Sequence, residues 1–282
     1  MSHSSANSAT SSSEAWHARY VAEAAARAGA AVIRDRAGKA HTVETKGTND
    51  FVTEADKAAQ DAVVQVLRRS FPDDTILAEE QDDSEGSIAD FSGRRWIIDP
   101  IDGTTNFMHG IPPYAVSIAL QHDDAIVAAV VFDVPHDKLY AAVKGSGATC
   151  NGTPLTVNDA ATLPEAVIAT GFPYRRTAHT EVYLDVMGTL LPRVRGIRRH
   201  GAASIDLVRV ADGAYGAYYE MSLKPWDVAA GALIVREAGG RVTTIGGAGG
   251  LHPLFDAQVV ATNDRLHATM QDALAPLQHI HA

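Results

Sequence analysis

A chain of 282 residues, 46% of them hydrophobic, holds enough apolar material for one large core or two smaller ones packed together, which excludes disorder of the whole chain. The formal net charge of −10 speaks against a nucleic-acid ligand, because such binding needs clustered Lys and Arg; an anionic substrate would need metal ions to hold it. Cys150 is the only cysteine, which excludes an intramolecular disulfide and a thiolate metal cluster and fits a reducing cytoplasm.

Residues 1–13 are rich in Ser, Ala and Asn. They have neither the basic start nor the apolar run of a secretory signal, and read as a disordered tail. From Glu14 to Arg36 the apolar positions Trp16, Tyr20, Val21, Ala24, Ala28 and Val32 fall on one face of a helix. The pattern returns over Asp56 to Arg69 and stops before Pro72. Short apolar runs at Thr75 to Ala78, Trp96 to Ile98, Tyr114 to Leu120, Ala125 to Phe132 and Lys138 to Val143 read as strands, separated by Pro, Gly and Asp turns. Beyond the loop from Lys144 to Pro154, strands and helices alternate. Strands are expected at Ala166 to Thr170, Ala214 to Glu220 and Ala257 to Ala261. Helices are expected at Glu181 to Leu191, Ser204 to Ala211, Val228 to Ala238 and Asp264 to Leu274. The reading is an α/β chain with an α+β first half, divided near residue 150 into subdomains 14–150 and 151–282. No stretch approaches the roughly 20 apolar residues of a membrane-spanning helix.

The string from Trp96 to Phe107, Trp-Ile-Ile-Asp-Pro-Ile-Asp-Gly-Thr-Thr-Asn-Phe, runs an apolar strand into two carboxylates and a small-residue turn. Asp99 and Asp102 can aim at one point, with the Ile101 carbonyl between them as a third hard oxygen, a donor set that suits Mg2+. Gly103 permits the sharp turn, and the N–H groups of Gly103 and Thr104 can face an anion. Singly, Asp-Pro and Asp-Gly are ordinary turn dipeptides. As a whole, the string resembles the principal metal-binding signature of the inositol monophosphatase family without a mismatch.

Three further segments resemble the same family in the same order. Trp226-Asp227-Val228-Ala229-Ala230-Gly231, closing at Gly239-Gly240, resembles its Trp-Asp helix and makes Asp227 a metal ligand, although an aspartate in a first helical turn also complements the helix dipole. Thr75 to Glu80 resembles its strand ending in paired glutamates, of which Glu79 would ligate metal and hold the attacking water, with Glu80 a solvated strand end. Lys46 to Asp56 resembles its mobile, metal-responsive loop and following helix. There Asp56 would support a further metal, and Lys46 belongs to the loop. Thr53 and Asp56 also have the spacing of a helix-capping pair.

The resemblance runs from about Trp16 to Arg265. It implies a layered α-β-α-β-α sandwich of the sugar phosphatase type, a homodimer, and a lithium-sensitive phosphatase. Two or three Mg2+ ions would be held by Glu79, Asp99, Ile101, Asp102 and Asp227. Glu79, Thr104 and Asp56 would serve catalysis, while Gly103, Thr104 and Thr105 would bind phosphate. The segment from His200 to Asp206 and the segment from Tyr218 to Met221 are similar to the family's polyol-contacting parts, which makes Gly201, Ala203 and Glu220 substrate contacts. Small residues for helix packing and a solvated strand end are the plainer readings of these positions. Thr105 stands where nucleotide and histidinol phosphatases of this fold often carry Lys, so a simple polyol phosphate, best an inositol monophosphate, is the expected small-molecule partner. Histidinol phosphate or a fructose bisphosphate is the alternative on the same fold. A non-enzymatic role as a partner of transcription machinery is the alternative of a different class. Neither nucleic acid nor a membrane is an expected partner.

Overall fold

The apolar runs of the first half form strands buried on both faces, so neighbouring residues belong to different cores. The computed structural model describes residues 4–39, 43–47, 50–80, 91–172, 179–278 and 280, and of residues 4–12, 43–47 and 50–53 the backbone alone. A seven-stranded sheet takes β3 (Thr75–Ala78), β4 (Arg94–Asp102), β5 (Ala115–His122), β6 (Ala125–Asp133), β7 (Lys138–Val143), β8 (Ala148–Cys150) and β9 (Thr153–Pro154) in chain order. Its β3–β4 pair is parallel and the rest antiparallel. Ile97 and Val131 face one core, Ile98 and Val130 the other, the period of two that a strand imposes.

One face of this sheet is covered by α1 (Ser4–Arg36) and α2 (Glu54–Ser70), which bring Ala18, Ala22, Ala26, Ile33, Val63 and Leu67 against Ile98, Ile118 and Val130. Alanines along α1 let the two helices lie close. The other face meets α5 (Ala203–Ala211) and α6 (Pro225–Glu237). Every residue of α6 from Val228 to Val235 is buried, as a helix between two sheets requires. Gly231 faces Leu207 so closely that a Cβ would collide with it.

Beyond α5 and α6 lies a five-stranded mixed sheet, in the order β11 (Gly196–Arg198), β10 (Val167–Thr170), β12 (Ala217–Met221), β14 (Gln258–Thr262), β13 (Arg241–Thr243). Its outer face is closed by α4 (Thr180–Leu190) and α8 (His267–Leu274) through Tyr183, Val186, Leu190, Tyr219, Met270 and Leu274. The layers therefore run α-β-α-β-α, as expected.

Several differences from the sequence reading are local. The first helix starts at Ser4, so residues 4–13 are helical rather than an unstructured tail. They contain no Pro or Gly, and extending an already nucleated helix costs far less than starting one. The segment expected as a loop around Lys46 forms a hairpin of β1 (Val43–Gly47) and β2 (Asp50–Thr53). The short α3 (Thr104–Met108) and α7 (His252–Phe255), and the strands β8, β9, β11 and β13, have two to five residues each, too few to show a period. The first sheet ends at Pro154, just past the boundary expected near 150.

Candidate active site

Asp99 and Asp102 share β4, and three positions apart on a regular strand they would point to opposite faces. The ladder to β5 slips between them: Asp99 pairs with Ser117 and Asp102 with Ala115, so three steps on one strand match two on the other. This bulge at Pro100 and Ile101 supplies the extra residue that turns both carboxylates to one side. Glu79 follows β3, whose parallel register sets Ala78 beside Ile98, and its N–H donates to the Ile98 carbonyl at 3.2 Å. The next residue on each strand is then Glu79 and Asp99, and their carboxyl groups share a hydrogen bond.

Asp227 arrives from the start of α6, where Lys224 N–H donates to its Oδ2 at 2.7 Å. Ser117 Oγ donates to the Trp226 carbonyl at 3.1 Å, tying that helix start to the strand opposite Asp99. Ligand oxygens of Asp99, Asp102 and Asp227 all lie within 4.8 Å of one another. The capping role of Asp227 and its place in the cluster are thus compatible.

Asp56, in the first turn of α2, is fully buried. The Thr104 hydroxyl lies 3.0 Å from Asp56 Oδ1 and 3.0 Å from the Ile101 carbonyl; its single proton serves one of them at a time. Gly103 sits at φ 90°, and a Cβ there would press on Ala202 Cβ and the Pro113 and Gly201 carbonyls at 3.2 to 3.3 Å. Glycine is required twice over, by backbone and by space. Thr105 is exposed on α3. Of Lys46 the side chain lies outside the described residues.

Glu220 stands on β12 with the Tyr218 hydroxyl donating to its Oε2 at 2.6 Å. Its carboxylate lies over Gly171, where any Cβ would overlap it. Gly201 has φ +80° and packs beside the Arg199 guanidinium and Asn106 Oδ1. Ala203 donates its N–H to Asp102.

Burial and mutual repulsion set the charges. Burial, then Asp227 and Glu80, push Glu79 up to about 8. Burial, then Asp227, push Asp102 up to about 7 against three donors from Ser204 and Ala203. Asp99 is raised well above the carboxylate range by burial and by Glu79, Asp102 and Asp227. The charged neighbours that raise these groups are carboxylates, and a set of hard oxygens crowded in this way fits divalent cations such as Mg2+. Burial also pushes Glu220 up to about 8.

The metal-free chain should therefore lose stability as pH rises. Unfolded, Glu79 and Asp102 release their protons near 4.5 and 3.8; folded, they hold them to about 8 and about 7. In that window the folded state carries the extra protons, so raising pH favours unfolding. Melting curves in a chelator are expected to show a higher midpoint at about pH 5 than at about pH 8. A flat or reversed profile would contradict the charge assignment.

A model of the inositol monophosphatase family matches residues 17–281. The chain belongs to the inositol monophosphatase family. The Escherichia coli K12 protein named Nus factor SuhB is 40% identical over 234 residues, covering 82% of this chain and 86% of its own. The inositol monophosphatase of Anabaena sp. PCC 7120 superposes with a TM-score of 0.80 at 34% identity, covering 92% of this chain and 96% of that one. An IMPase/NADP phosphatase complexed with Mg2+ and phosphate gives a TM-score of 0.73 at 32% identity, covering 83% and 86%.

Within this family fold, the structure brings Glu79, Asp99, Asp102 and Asp227 together and sets Thr104 against Asp56. Four residues that shape the site escaped the sequence reading. Ser204 donates to Asp102, and Asn106 Nδ2 donates to the Pro113 and His200 carbonyls at 2.8 Å each. Gly171 makes room for Glu220 and Tyr218 holds it. Asn106, Ser204 and Tyr218 lie inside the quoted segments, so their positions were the available signal; for Gly171 only the folded pairing of β10 with β12 reveals the role.

Proposed function

We propose that this protein hydrolyses a phosphate monoester of a small polyol, with a myo-inositol monophosphate the first choice, and that Glu79, Asp99, Asp102, Asp227 and the Ile101 carbonyl hold two or three Mg2+ ions for the reaction. The observation that carries this reading is the approach of Asp99, Asp102 and Asp227 within 4.8 Å. It is supported by family membership and by the relative whose structure holds Mg2+ and phosphate. Bound there, Mg2+ would supply the positive charge that holds the phosphate oxygens and would lower the pKa of the water that attacks phosphorus.

The chain's own groups do the rest. Glu79, beside Asp99 at the strand end, accepts the proton of the attacking water. The Thr104 hydroxyl, held between Asp56 and the Ile101 carbonyl, orients that water. The N–H groups of Gly103, Thr104 and Thr105 stand at the first turn of α3, where helix geometry leaves them without intrahelical partners, and they take phosphate oxygens. Glu220, fixed by Tyr218, accepts a hydrogen bond from a polyol hydroxyl, and Gly201 and Ala203 allow the ring to lie close to backbone.

The test is phosphate release with Mg2+ from inositol 1-phosphate, histidinol phosphate, fructose 1,6-bisphosphate and 3′-phosphoadenosine 5′-phosphate. Inositol 1-phosphate is expected to give the highest kcat/KM. A win for histidinol phosphate by orders of magnitude would replace the substrate and leave the chemistry standing, and release from none of the four would remove the enzyme reading.

The Nus factor name carried by the relative favours a second role, as a binding partner of transcription machinery. The net charge of −10 points to a protein surface as the contact in that role. Among the described residues no helix is long and apolar enough to cross a membrane. The proposal places the protein in the cytoplasm as a lithium-sensitive homodimer, with subdomains meeting near residue 150.

A further inference from the structure

Asp102 is gripped from behind by the start of α5. Ala203 N–H donates to its Oδ1 at 3.1 Å and Ser204 N–H to its Oδ2 at 2.8 Å, and the Ser204 hydroxyl donates to the same Oδ2. Ser204 is fully buried, so solvent does not replace its hydroxyl. A carboxylate offers about four acceptor sites, two on each oxygen. Among the described residues, both sites of Oδ2 and one of Oδ1 are filled, which leaves a single acceptor direction, on Oδ1. The helix that supplies these donors is itself fixed, because Leu207 on α5 packs directly on Gly231 of α6.

We infer that Ser204 is a positioning residue that commits Asp102 to ligation through one oxygen and thereby favours Mg2+ over Ca2+ at the acid cluster. The inference rests on the metal reading proposed above. Mg2+ takes a tight octahedron with few carboxylates, whereas Ca2+ accepts both oxygens of a carboxylate in a larger, flexible shell. Without the Ser204 hydroxyl, Oδ2 regains an acceptor site and the carboxylate can turn to offer two oxygens.

The experiment is calorimetric titration of MgCl2 and of CaCl2, without substrate, into the metal-free full chain and its Ser204→Ala and Ser204→Cys variants. Cysteine keeps the side chain's shape with a weak S–H donor. Melting curves confirm that each variant folds, and if alanine fails, cysteine carries the test. Mg2+ binding is expected to weaken about 10-fold to 100-fold in Ser204→Ala, the range for losing a group that orients a metal ligand. Ca2+ binding should weaken much less, and cysteine should fall between. Unchanged Mg2+ affinity, or an equal loss for both ions, would overturn the role of Ser204 while leaving the metal site in place. A wild-type chain that binds neither ion would end the metal reading and this inference with it.

Discussion

Asp99→Asn is expected to lower Mg2+-dependent phosphate release by about 10²-fold to 10³-fold, the loss typical of removing one preorganised charge-stabilising group. Asp227→Asn should do the same. Asparagine keeps the shape of aspartate, and its Oδ1 can still accept the Ile101 N–H that Asp99 accepts at 2.9 Å, so the bulge survives. What disappears is a group whose folded pKa is held well above the carboxylate range by burial and by Glu79, Asp102 and Asp227, so the folded state no longer opposes an ionisation that the unfolded chain makes freely. The same substitution should therefore raise the melting temperature of the metal-free protein near neutral pH. Activity and stability moving in opposite directions is the mark of a functional cluster held against its own repulsion. A misfolded variant would lose both. Wild-type rates in both variants, with folding intact, would defeat the metal-dependent mechanism.

Gly171→Ala should raise KM for inositol 1-phosphate about 2-fold to 10-fold, the cost of losing one hydrogen bond to a neutral group. Gly171 is not among the glycines in the left-handed region, so its backbone tolerates alanine. The obstacle is the Glu220 carboxylate, which a Cβ would overlap. That carboxylate is the end of a flexible side chain and must swing away, leaving Tyr218, whose hydroxyl now donates to it at 2.6 Å. Mg2+ affinity should change much less than KM, because the displaced Glu220 acts on the acid cluster through Coulombic repulsion with Asp227. Steady-state kinetics paired with a Mg2+ titration would separate the two effects. An unchanged KM would take Glu220 out of polyol recognition.

Neither prediction could be framed without the fold, yet most of their residues were visible beforehand. The string from Trp96 to Phe107 carries its chemistry in consecutive positions, so Asp99, Asp102 and Gly103 were legible as a group. Asp227 was legible only through its resemblance to a known helix start, and the plainer reading as a dipole-complementing aspartate is also true of it, since it caps Lys224. The long helices α2 and α6 and the strands β5, β6 and β7 were readable from period and turn residues. The short α3, β8, β9 and β11 were not, because a few residues cannot display a period.

By itself the sequence determined the elements long enough to show a period, and its family resemblance implied the layered class and the acidic residues expected at the site. The tertiary structure alone decided which way the carboxylates point. A one-residue bulge puts Asp99 and Asp102 on one face, a parallel register brings Glu79 to Asp99, and a helix over a hundred residues away closes on Asp102. Side-chain direction alternates residue by residue along a strand. A single slip in pairing therefore makes or destroys the site, and pairing is a property of the folded sheet.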